Sequence, residues 1–122
     1  MSKIYDFLKE CGTFYVLTIN GDFPAGRPFG AVMEYNDNLY ISTADTKAVY
    51  KQLKEHSNIQ IISLKPGTRE WVRINGIVKE CDDIEIKEKM LEECPALTKH
   101  FPTPNTLHYA VFQLKIFDFM FY

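Results

Sequence analysis

Three turn signals, Asn20-Gly21, Asn36-Asp37-Asn38 and Gly67-Thr68, each stand between runs rich in β-branched and aromatic residues, so this chain is built mainly from hairpins. Hairpins make antiparallel sheet. TFYVLTI, residues 13–19, leads into Asn20-Gly21, and a second strand runs from Pro24 to Tyr35, its two prolines confining the early part to an edge. LYIS follows the second turn, NIQIISLKP (58–66) and EWVRINGIVKEC (70–81) flank the third, and HYAVFQLKIFDFMFY closes the chain as a long last strand. About six such strands, some long and twisted, curl closed to remove their edges. The expected class is mainly β, a six-stranded antiparallel barrel with flanking helices. A barrel this small is filled by its own side chains, so a large planar ligand has to lie outside it, in a groove between two barrels.

Helical periods punctuate the strands. Ile4, Phe7, Leu8 and Cys11 recur on one face of a first helix that Ser2 can cap and Gly12 ends. TKAVYKQLKEH, residues 46–56, is a second helix with Lys47, Lys51 and Lys54 on one side. A third is acidic, with Asp82 and Glu85 as a capping pair and Ile86, Met90 and Cys94 at helical spacing until Pro95. Pro95, Pro102 and Pro104 make 95–106 a loop. Along 70–81, Trp71, Arg73 and Asn75 alternate with Val72, Ile74 and Gly76, giving one polar-aromatic and one apolar face. The end of the last strand, with Phe117, Phe119, Met120, Phe121 and Tyr122, is costly in water and is expected to pack inside the barrel or against a second copy.

With 122 residues and 46% hydrophobic content, the chain is expected to form a single domain over 1–122. A net charge of −2 and a pI near 5.9 argue against a nucleic-acid partner. Cys11, Cys81 and Cys94 form no CxxC pair or His–Cys cluster, so no metal is expected and the thiols are read as reduced. Without an apolar run of spanning length or a signal-peptide core, the expectation is a cytoplasmic protein with no membrane partner.

The chemistry concentrates between Arg27 and Lys54. There a proline-fixed strand, a hairpin, a strand ending in Ser42 and Thr43, and a helix with Lys47 in its first turn follow directly. Hydroxyls, unpaired backbone N–H groups and the positive end of a helix dipole together suit a phosphate or carboxylate. Lys47 opposes that dipole, which makes sense if an anion lies between them; a plain solvated lysine is the other reading of the same spacing.

RPFGAV, the segment LYISTADTKAVYKQLKEH, and WVRINGIVKE taken in this order and spacing resemble the pyridoxamine 5′-phosphate oxidase-like family of FMN-binding split barrels, in its short bacterial form. The likeness runs from Thr13 to about Leu114. It implies a homodimer with FMN at the subunit interface. Arg27, Pro28, Phe29 and Gly30 would run along the flavin, with Arg27 near its phosphate end; Ser42, Thr43 and Lys47 fall on phosphate-binding positions; Trp71 matches a flavin-contacting position, with Arg73 its neighbour. The alternatives are an edge-strand charge for Arg27, a core or interface aromatic for Trp71, and an ion-pair partner for Arg73.

The expected function is an FMN-dependent oxidoreductase in which the flavin carries the electrons between a small-molecule donor and acceptor and no side chain acts as acid or base. Departures from the pattern narrow this. The named oxidase carries an arginine- and histidine-bearing C-terminal segment where this chain has KIFDFMFY, which argues against oxidation of pyridoxamine phosphate itself, and Thr46 stands where that enzyme has a second basic residue. His56, His100 and His108 show no ligand spacing, and no G-x-G-x-x-G fingerprint holds a nicotinamide. The other readings are a non-catalytic flavin store or sensor, or a split barrel holding haem or a deazaflavin.

Overall fold

The computed structural model describes residues 2–122; the side chain of Ser2, read as the cap of the first helix, lies outside the described residues. Seven strands form one antiparallel sheet: β1 (Phe14–Asn20), β2 (Phe23–Phe29), β3 (Val32–Tyr35), β4 (Asn38–Ala44), β5 (Asn58–Leu64), β6 (Trp71–Cys81) and β7 (Tyr109–Phe121). Their order is β2-β1-β5-β6-β7-β4-β3. The two outermost strands are thus consecutive in the chain, separated only by Gly30 and Ala31. A sheet whose opposite edges are two residues apart has to curl round on itself, which makes it a split barrel. The seventh strand arises because the run from Pro24 to Tyr35 breaks at Gly30. Pro24 and Pro28 cannot donate to a second neighbour, so β2 pairs only with β1, and β3 pairs only with β4 at the other end of the sheet.

Each turn follows its sequence signal. Gly21 (φ 61°) closes the β1–β2 hairpin, and Asn36 and Asp37 (φ 51° and 63°) form the two-residue β3–β4 turn, the left-handed pair that a tight hairpin demands. Gly12 (φ 81°) ends α1 (Ser2–Cys11), its N–H bonded to the Leu8 carbonyl.

The barrel interior is filled by Phe14, Val16, Leu39, Ile41, Ile74 and Phe112 with their neighbours. Ile4 and Leu8 of α1 and Val49 and Leu53 of α2 (Ala48–Glu55) join that core. Outside the sheet, α3 (Ile84–Glu93) lays Ile86, Met90 and Leu91 on Met33, Tyr40 and Val111. β4 is therefore covered on both faces. The cap of α3 is Asp83, which accepts from the Glu85 N–H at 2.9 Å; the expected Asp82 pair is off by one residue, because β6 runs to Cys81 and the first helical residue is Ile84. Pro95 likewise opens a 3₁₀ turn, Pro95–Lys99, within the expected loop. Trp71, Arg73 and Asn75 do face outward, opposite buried Val72 and Ile74. Beyond Leu114, β7 pairs only with β6; Phe121 packs on the core, but Phe117, Phe119 and Met120 stay exposed in the single chain.

Candidate functional site

β4 ends where two layers of packing meet. With a period of two, Ser42 leaves on the side of Tyr40 and Thr43 on the side of Ile41. Both nonetheless line one groove of about 910 Å³, at the upper end of the range for small-molecule sites, because the chain turns through Asp45 and Thr46 and brings Lys47 round beside them. Ser42 is 8% exposed and its hydroxyl is buried with no hydrogen-bond partner. Such a group costs about 1–3 kcal/mol unless something completes it.

Lys47 sits at the N-cap of α2, one residue earlier than the first-turn position expected, and no side chain caps that helix start. Its exposed amine makes no ion pair among the described residues. A buried unsatisfied hydroxyl, a cation in no ion pair among the described residues and an uncapped helix start within one groove could hold an anion, by charge and by hydrogen bonding.

Pro28, Phe29 and Gly30 also line the groove, where β2 gives way to irregular backbone. An apolar wall is made by the 3₁₀ turn and the loop after it: Leu97, Phe101 and Leu107, with His100 among them. Phe101 is held by stacking on Tyr109, ring centroids 4.8 Å apart. Cys94 also lines the groove, and burial pushes its thiol pKa up, keeping it protonated and inert. Glu93, at the rim, accepts from the Tyr5 hydroxyl at 2.9 Å; burial first and that bond second push the Tyr5 pKa up to about 12.

Arg27 lines the groove too, but its guanidinium is turned inward. One terminal nitrogen donates to the Val16 carbonyl (3.2 Å) and the Thr18 hydroxyl (2.8 Å), the other to Oε1 of Gln52 (2.9 Å). Burial lowers its pKa without removing its charge. Seven of the nine residues singled out from the sequence therefore share one groove: Arg27, Pro28, Phe29, Gly30, Ser42, Thr43 and Lys47.

Trp71 and Arg73 are elsewhere. The indole stacks on Tyr122 with centroids 4.1 Å apart and planes 10° from parallel, and Arg73 lies over both rings at 5.2 and 5.4 Å. Groove residues that the sequence did not single out for it are Leu97, Phe101, Leu107 and His108, the last meeting Asp45 at 2.7 Å; Thr18 and Gln52, which hold Arg27, lie outside the groove. Among the described residues no group of three His, Cys, Asp or Glu side chains is placed to hold a metal ion, and no helix is long and apolar enough to cross a membrane.

Residues 1–114 match the model of the family described as Pyridoxamine 5′-phosphate oxidase. Among solved structures, a NimC/NimA family protein from Clostridium acetobutylicum is 38% identical, with a TM-score of 0.88 over 94% of this chain and 81% of that one. A pyridoxamine 5′-phosphate oxidase-related, FMN-binding protein from Nostoc punctiforme is 17% identical (TM-score 0.80, covering 98% of this chain and 81% of that one). A haem storage protein from Vibrio cholerae is 10% identical (TM-score 0.78, covering 98% and 92%). The last two share the fold and carry nothing further. No curated protein sequence matches the chain.

Proposed function

This chain belongs to the pyridoxamine 5′-phosphate oxidase family of flavin-binding split barrels, and from that premise we propose that it binds FMN in the groove beside β4 and acts as an FMN-dependent oxidoreductase. The observation that carries the reading is the orphaned Ser42 hydroxyl beside Lys47 and the uncapped start of α2, a donor set that fits a phosphate dianion. Ser42, Thr43 and Lys47 would hold the phosphate, each charge-assisted bond contributing about 1.5–3 kcal/mol. The backbone from Pro28 to Gly30 would meet the polar edge of the ring, and the apolar wall of Leu97, Phe101 and Leu107 would exclude water from it. Bound flavin supplies the electron transfer; the protein supplies position and polarity.

The outward face of β6, with Trp71, Arg73 and Tyr122, is the surface we assign to a second copy, so that Trp71 and Arg73 reach the flavin of the partner in a homodimer. The substrate is a small-molecule electron donor or acceptor. A second reading, haem in place of flavin, is favoured by His100 and His108 both lining the groove.

The absorption spectrum of the purified protein separates these, flavin bands near the visible blue against a haem Soret band, and titration with FMN and with riboflavin tests the phosphate corner. Lys47→Ala should weaken FMN about tenfold or more and leave riboflavin almost unchanged. Equal losses for the two ligands, or a protein that takes up no flavin, overturn the proposal.

A further inference from the structure

We propose that Arg27 is a positioning residue: it ties β1 and β2 to Gln52 of α2 and thereby fixes the helix start that receives the phosphate, without holding the phosphate itself. The inference rests on the flavin reading and adds to it a residue outside the groove, Gln52.

The geometry is specific. Arg27 is paired in register with buried Val16, which puts both side chains on the core face of the sheet, at the barrel end that α2 covers. Gln52 Oε1 accepts from the Arg27 guanidinium at 2.9 Å and from the Thr18 hydroxyl at 2.5 Å, while Thr18, only 3% exposed, accepts from Arg27 at 2.8 Å. Three polar side chains from three elements therefore close a triangle of hydrogen bonds. α2 is otherwise held by the non-directional burial of Val49 and Leu53 and, towards β6, by Tyr50 and Lys54 on Glu80 (2.7 and 3.0 Å). The triangle is the directional tie to β1 and β2, since hydrogen bonds of a planar fork tolerate little displacement.

Gln52 stands one turn beyond Ala48 on the same helical face, so a shift at Gln52 carries directly to the first turn. Both terminal nitrogens of Arg27 are already committed to protein acceptors. Turning the guanidinium out to a phosphate would strand Thr18 and Gln52 in a partly buried site, at the cost of unsatisfied polar groups.

The test compares dissociation constants for FMN and riboflavin in the full chain and in Gln52→Ala, Gln52→Glu, Thr18→Val and Arg27→Ala, together with amide hydrogen exchange of α2 in ligand-free protein. Gln52→Ala should reduce the preference for FMN over riboflavin by about tenfold, the loss of one charge-assisted bond at its weak end, and speed exchange across α2. Gln52→Glu, whose carboxylate still accepts from both donors, should restore both readouts. A preference that survives Gln52→Ala and Thr18→Val but collapses in Arg27→Ala makes Arg27 a direct phosphate ligand and overturns the inference. If the unaltered protein does not distinguish FMN from riboflavin, the flavin reading fails separately; unchanged α2 exchange in Gln52→Ala then still refutes the tie, and faster exchange upholds it.

Discussion

Ser42 and Lys47 face one groove from the two sides of a short turn, the first buried with its hydroxyl unpaired and the second exposed with its amine in no ion pair among the described residues. The unpaired hydroxyl separates stability from binding. Ser42→Ala removes a polar atom that the ligand-free fold leaves unsatisfied, so the melting temperature without ligand should hold or rise slightly, while FMN affinity falls by about tenfold. Thermal melts with and without FMN check both halves.

Gly76 has no room for a methyl group. A Cβ there would press on the Lys115 carbonyl oxygen and lie 2.8 Å from a Leu114 methyl, at the β6–β7 irregularity that leaves Phe117 unpaired. Gly76→Ala should destabilise by about 1–3 kcal/mol, toward the upper end because backbone cannot give way as a side chain can. Urea midpoints measure it; an unchanged midpoint would mean that the two strands separate easily.

Alkaline stability should be governed by phenols whose ionisation the fold opposes. The Tyr50 hydroxyl donates to Glu80 at 2.7 Å, and that bond, aided by burial, pushes its pKa up to about 12 from 10.0. A folded-state value above the unfolded one means stabilisation that is complete below pH 10 and is lost as pH rises from 10 to about 12. Melting temperature should therefore fall across that window, less steeply in Tyr50→Phe, with tyrosinate absorbance of Tyr5 and Tyr50 lagging behind that of exposed tyrosines.

The stacked Trp71 and Tyr122 lie outside the groove of their own chain. If a second copy brings Trp71 to the flavin, Trp71→Ala should lower the mass in sedimentation equilibrium toward monomer and weaken FMN together. Weaker FMN in a protein that is monomeric before and after the substitution would contradict the shared site.

Much of this was legible because it is local. Turn residues with positive φ named every hairpin, alternation named the outward face of β6, and a hydroxyl pair before a helix named the corner where Ser42, Thr43 and Lys47 meet. What sequence withheld is what depends on distant elements meeting. Gln52 looks like an ordinary helix-surface amide until β1 and β2 are folded beneath it. The apolar wall is contributed by a proline-rich stretch whose composition says loop and nothing about what it faces. The break at Gly30 was hidden because its two sides both read as strand, and only pairing partners at opposite ends of the sheet reveal that the chain has changed places.

That break has a mechanical consequence. Between β2 and β3 the ring is fastened by a covalent stitch, Gly30-Ala31, and not by a ladder of strand pairing. A seam of that kind yields without unzipping any ladder, so if the groove takes FMN as proposed, the wall that borders the seam is the side able to part for the ring, while the flank built on doubly covered β4 stays fixed.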